Sequence, residues 1–160
     1  MVDDSLIRGD IVFNSKPEAV PYNYRISYKV SQLCLIMRLC GWGDTCSLIK
    51  LQMISYALFS RETMKHLIDY ADGLGPAPIV RFDPVVNKAL TYAIAYGFVS
   101  QQKSGNYKLT TKGHNLAEQI KLSKDLMVTE LTNLEELSKK LTEGKIKELT
   151  ELWRDYNDTN

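Results

Sequence analysis

The sequence predicts a mainly α-helical protein with one small β-hairpin. Three observations lead there. From residue 25 onward, apolar residues recur at three- and four-residue spacing over most of the chain. Helix-start signals precede several of these runs, the clearest being Asp83-Pro84, an N-cap followed by proline at the first helical position. One polar stretch, 98–110, reads instead as two brief strands around a turn at Lys103-Ser104-Gly105-Asn106. With 160 residues, 44% of them apolar and 24% charged, the chain can bury a core without a metal or disulfide staple.

Residues 1–24, with Asp3, Asp4, Gly9, Asn14, Pro17 and Pro21, read as an irregular arm holding at most a short strand at 10–13. Residues 25–40 form a helix in which Ile26, Val30, Leu33, Met37 and Cys40 keep helical spacing. Leu35, Ile36 and Leu39 widen the stripe, which marks a central helix buried on most sides. Gly41-Trp42-Gly43-Asp44 ends it, and Asp44, Thr45 or Ser47 can cap the next helix, 47–59. Ser60 caps a third helix that carries Met64, Leu67, Ile68 and Ala71 and stops at Asp72-Gly73. Ile79, Val80, Arg81 and Phe82 make a short strand or an extended link. The fourth helix then runs to about Tyr96 with Val86, Ala89, Leu90, Ala93 and Ile94 inward. Strands at 98–102 and 107–110 lead through Thr111-Lys112-Gly113 into a helix with Leu116, Ala117 and Ile120 inward. Beyond it Ile120, Met127, Leu134 and Leu141 fall at sevens, with Leu131 and Leu137 between them. Gly144 interrupts the pattern before a last helix at about 145–156. A helical hairpin packed on the body is the preferred account of this tail. A docking or dimerisation face using Met127, Leu134, Leu141 and Trp153 is the alternative.

Catalytic chemistry finds little to stand on. His66 and His114 have no ligand-type residue at metal-binding spacing, so no metal and no cofactor are expected. Cys34, Cys40 and Cys46 lie at C-x5-C-x5-C, which is neither a zinc knuckle nor a redox pair, and they read as buried free thiols in a reducing compartment. No nucleotide-binding, nucleophile-elbow or zinc-protease motif is present. Asp72 and Asp83 read as cap and turn residues and Asp69 as part of a solvated helix face. No enzyme is expected. No signal peptide is read at Met1-Val-Asp-Asp, and no apolar run approaches a membrane span, so a cytoplasmic protein is expected.

The net charge of +1 hides an uneven distribution: residues 25–66 and 98–124 each carry +4, and residues 125–160 carry −4. Lys103, Lys108 and Lys112, with Tyr107 among them, are candidate phosphate contacts, as are Arg25 and Lys29 beside Tyr22, Tyr24 and Tyr28. The outward face of the fourth helix offers Asn87, Lys88, Thr91 and Tyr92, with one cation and no arginine. That face suits a protein partner better than base readout.

The succession of helix, glycine turn, hairpin and "YKLTTKG" over 83–122 resembles the recognition helix, wing and following helix of winged-helix domains. That resemblance implies a winged helix-turn-helix core at 25–122, between the arm at 1–24 and a C-terminal helical extension at 123–160. In addition, "YNYRISYKVSQLCLIMRLC", "SLIKLQMISYALFS" and "FDPVVNKALTYAIAYGFVSQQKSGNYKLTTKG" resemble the middle component of bacterial ABC three-component systems, similar to the small subunit of Lamassu-type anti-phage defence complexes. The resemblance implies a non-catalytic adaptor that binds an SMC-like ABC ATPase and works beside an effector, often a nuclease, in a DNA-sensing, anti-phage or anti-plasmid complex. DNA is then met mainly through the complex, and no membrane is involved. The competing expectation is a winged-helix DNA-binding transcriptional regulator that dimerises through residues 120–156.

Overall fold

A computed structural model describes residues 22–159; the arm, with its expected strand at 10–13, lies outside the described residues up to residue 21. Helix α1, Tyr22–Cys40, starts three residues earlier than the sequence suggests and runs through the middle of the molecule. Leu33, Cys34, Leu35, Ile36 and Met37 are consecutive and all fully buried, so no face of this stretch meets solvent. It ends where Gly41 passes the backbone too closely for any side chain: a Cβ there would sit 2.5 Å from the Thr45 carbonyl oxygen.

Strand β1, Thr45–Cys46, follows, a short element the sequence pattern does not announce. Ser47, rather than Asp44 or Thr45, caps α2, Leu48–Ala57, by accepting the Lys50 N–H. Ser60 and Thr63 form a reciprocal capping box at the start of α3, Arg61–Ala71. Residues 72–83 then form neither helix nor strand, so Ile79 to Phe82 are a link and not a strand. The buried Gln52 side chain anchors the end of this link by giving a hydrogen bond to the Asp83 carbonyl (3.1 Å) and taking one from its N–H (2.8 Å). Asp83 caps α4, Pro84–Ala95, as its sequence signal requires. Val86, Ala89, Leu90 and Ala93 are buried as expected, but Ile94 is 40% exposed, because the α4 contact surface is narrower than its apolar content suggests.

Strands β2, Val99–Gln101, and β3, Tyr107–Leu109, form the expected hairpin. β1 joins it, giving a three-stranded antiparallel sheet in the order β1-β3-β2, with Thr45 opposite Lys108 and Val99 opposite Leu109. Thr110 caps α5, Thr111–Ser123. Gly113 is required there, since a Cβ would lie 2.0 Å from the Phe98 carbonyl oxygen.

The tail is α6, Val128–Leu137, and α7, Glu143–Thr159. Met127, Leu134 and Leu141 are buried in the same core as α1, so they are not docking residues. Their seven-residue spacing is not a coiled-coil seam. Met127 and Ser138 adopt left-handed backbone (φ 51° and 52°), which interrupts the helix on both sides of α6 and resets its phase. Ile120, Met127, Leu134 and Leu141 therefore reach the core from α5, the link before α6, α6 itself and the link after it. Truncating Leu134 to alanine would cost about 2–5 kcal/mol by the usual cavity argument. No helix among the described residues is long and apolar enough to cross a membrane.

One residue violates the packing logic. Lys50 of α2 is fully buried, and its ammonium nitrogen has no hydrogen-bond partner among the described residues. An unsatisfied buried donor costs about 1–3 kcal/mol. Lys50→Met keeps the shape and removes the donor, so it should raise stability by about that amount. Urea unfolding of the two proteins measures it, and a lower midpoint for the methionine variant would show that Lys50 is satisfied in solution.

Candidate functional site

Two surface regions carry most of the sequence candidates, and a third holds a cleft. The first is α4 with the hairpin. Asn87, Lys88 and Thr91 lie on the exposed face of α4, and the Thr91 hydroxyl is spent on the Asn87 carbonyl (3.1 Å). Tyr92 is half-buried and stacks on Tyr96, with ring centroids 6.3 Å apart. Lys103 and Lys108 are exposed on the turn and on β3. Lys112 is engaged: its ammonium donates to the Tyr96 carbonyl (2.8 Å) and sits 4.5 Å from the centre of the Phe98 ring. It neutralises the carbonyl end of α4 and ties α5 to it, a structural use of the charge. Sequence reasoning missed a further feature: between Asp83 and Glu118 there is no acidic residue at all. The surface of α4, the hairpin and the first half of α5 therefore draws no carboxylate from its own residues, 84–117.

The second region is the start of α1. Arg25 is exposed. Lys29 is not a phosphate contact, because its ammonium is drawn inward to donate to Gln32 Oε1 and Ser55 Oγ, both at 2.9 Å. Burial pushes its pKa down, and the Asp83 charge partly offsets that. Lys29, Gln32, Ser55, Arg81, Asp83 and Glu130 line a polar cleft of about 270 Å³.

The third region was not anticipated. A larger cleft of about 510 Å³ opens between α2, α3 and residues 74–80. Met53, Ala57, Leu67 and Val80 give it an apolar lining, while Tyr56, His66 and Asp69 also border it. Tyr56 lines both clefts, so they adjoin. Around them Phe59, Leu74, Ile79 and Phe82 are exposed, and Val85 continues the apolar surface onto α4. The cleft wall is made by a link without periodicity, which is why no sequence pattern points to it. Asp69, expected on a solvated helix face, is instead half-buried against that wall. Trp153 is half-buried against the core, whereas Leu152 one residue earlier is 65% exposed.

The titratable groups elsewhere serve the fold. Arg38, Asp44, His114, Glu118 and Lys121 form a connected network, with Arg38 Nε 2.7 Å from Glu118 and His114 Nδ1 2.8 Å from Asp44. Asp72 closes α3 and pairs with Lys140. Burial pushes all three thiols up to about 12, so they are protonated and unreactive at neutral pH. Among the described residues, no group of three or more His, Cys, Asp or Glu is placed to hold a metal ion. Comparison with protein-family models, with curated proteins and with solved structures finds no match for this chain.

The Arg38 guanidinium holds the Glu118 carboxyl below its ordinary value of 4.5, with Lys121 adding to the effect. A depressed folded value means that the pair stabilises the protein fully above the unfolded glutamate pKa and is lost as pH falls through the folded value. Glu118→Gln should therefore lower the urea midpoint at pH 7, by under about 1 kcal/mol for a pair this exposed, and match the parent once the pH is below the folded value. An equal loss at both pH values would assign the effect to packing instead.

Proposed function

We propose that this chain is a non-catalytic winged-helix adaptor subunit, cytoplasmic, that binds an SMC-like ABC ATPase in a DNA-sensing defence complex. One observation carries the protein-binding part of this reading. Leu74 and Ile79 are exposed at the larger cleft and Phe59 at the adjoining one, and Phe82 and Val85 are exposed on the chain that follows. Exposed apolar residues grouped in this way mark interaction surfaces more often than they mark bare protein. The winged-helix assignment draws support from a helix, α4, that runs directly into a hairpin and from a small sheet of order β1-β3-β2 in which an early strand joins that hairpin. The ATPase and the defence setting rest on the sequence resemblance alone.

Co-expression of the tagged chain with its flanking genes tests the proposal. Recovery of a large ATPase in a stable complex is the expected result. Phe82→Asp with Val85→Asp, both at exposed positions, should reduce that recovery at least tenfold without moving the melting temperature. Recovery of the chain alone would remove the adaptor reading.

A DNA-binding role is the second reading, favoured by the acid-free run between Asp83 and Glu118. Met127, Leu134 and Leu141 are core residues and cannot form its dimer contact, which would fall to exposed residues of 120–156 such as Leu122, Val128 and Leu152. Lys103 and Lys108 on the hairpin remain as phosphate contacts. Fluorescence anisotropy on a 20-base-pair duplex should then show salt-sensitive binding. Lys103→Glu with Lys108→Glu should weaken it and lower the log–log salt slope by about 2. Unchanged binding would take the hairpin out of the interface.

A further inference from the structure

The larger cleft has features that the docking of a flat apolar surface does not need. Its polar border is unspent: the Tyr56 hydroxyl, the His66 ring and the Asp69 carboxylate take part in no hydrogen bond or ion pair among the described residues. Asp69 is the single carboxylate among the residues that line it. Its other wall is open backbone. Among the described residues, no N–H or C=O of residues 75–82 makes a hydrogen bond, although Asp83 immediately after is held on both sides by Gln52. Pro76 and Pro78 remove two donors from this stretch and bias the residues before them away from helix.

Main-chain groups waiting beside an apolar pocket are the ingredients of recognition by strand addition, in which backbone hydrogen bonds give affinity and the pocket reads a side chain. A lone half-buried carboxylate at the pocket edge favours a cation next to that side chain, and an open main chain that runs over residues 75–82 is longer than the few polar contacts a small molecule uses. Resting on the adaptor reading, we propose that this cleft takes an extended segment of the partner protein in which an apolar side chain neighbours a lysine or arginine. The apolar side chain seats on Met53, Ala57, Leu67 and Val80, the cation pairs with Asp69, and the segment's backbone bonds to residues 79–82.

Two capped peptides test this directly: Ac-Val-Lys-Phe-Val-NH2 and its charge-reversed twin Ac-Val-Glu-Phe-Val-NH2, titrated into the full ¹⁵N-labelled chain. The lysine peptide should shift amides of α3 and of residues 74–82, and should bind at least threefold more tightly than the glutamate peptide. Asp69→Asn should erase that preference, and Asp69→Lys should invert it. Ile79→Asp, at a position 78% exposed and so harmless to folding, should weaken both peptides. Shifts that are absent, that fall elsewhere, or that are equal for the two peptides and indifferent to Asp69 would overturn the proposal. The same variants separate it from the adaptor reading. If the parent chain recovers its ATPase and Asp69→Lys recovers it equally well, the cleft assignment fails and the adaptor stands. If the parent chain recovers nothing while the peptides behave as expected, the adaptor partner is wrong and the cleft stands.

Discussion

Burying α1 on all sides is the constraint that organises this molecule. A helix with five consecutive solvent-excluded residues, Leu33 to Met37, cannot be satisfied by one neighbour. It must be covered around its whole circumference, and α2, α4, α5 and α6 all contact it. Each buried Leu, Ile or Met side chain contributes about 1.5–3 kcal/mol relative to exposure, so the helix is a large part of what holds the fold. The few polar groups it carries inward have to be paired locally. Ser31 donates to the Ser27 carbonyl, and Gln32 accepts from Lys29 and Ser55. That need recruits Lys29 away from the surface and decides its role before any ligand is considered.

The same demand explains the tail. The hairpin and α4 leave part of α1 uncovered, and α6 supplies the missing cover, with Leu134 and Leu137 fully buried and the Cys40 thiol reaching the Leu134 carbonyl. Lys145 at the start of α7 donates to the Ala71 carbonyl, capping the end of α3. With α5, α6 and the first half of α7 committed to the core, the exposed apolar residues beside the two clefts lie around the link after α3, while Leu122, Val128, Leu152 and Tyr156 are exposed elsewhere. The link after α3 is fixed at its end by Gln52 and otherwise touches little. Interaction capacity thus falls on the segment the core does not use.

Much of this was legible beforehand. Ser60, Asp83 and the glycines after α1, α3 and α4 mark element ends because caps and turns are local chemistry. The hairpin is legible for the same reason. β1 is not, because two residues carry no periodicity and pair only through a contact distant in sequence. The heptad-like spacing misleads because spacing encodes a face only while one helix continues, and the chain breaks at Met127 and Ser138. Phosphate candidates divide on tertiary grounds alone: Lys103 and Lys108 stay outside, whereas Lys29 and Lys112 are drawn into bonds with groups far away in the chain. Asp69 and its cleft depend on a link folding back over α3, for which composition offers no signal.

The apolar flank and the acid-free face meet on one element, and its dimensions bear on whether they compete. α4 has 12 residues, about 18 Å at the usual rise per residue. Its first turn, with Val85 following Phe82, belongs to the apolar surface, and its last turn leads into β2 and the lysine-bearing hairpin. A partner segment lying along residues 74–82 would approach from the N-terminal end of α4, whereas Lys103 and Lys108 follow its C-terminal end, and the length of α4 sets the scale of their separation. At that separation their attraction for phosphate is neither blocked by the docked segment nor strongly altered by its charge, since it exceeds the Debye length of about 8 Å at physiological ionic strength. Protein docking and backbone contact with DNA are then compatible uses of the two ends of one helix. On the proposed adaptor reading, a partner protein would be held at one end while the hairpin stays free to meet a nucleic acid.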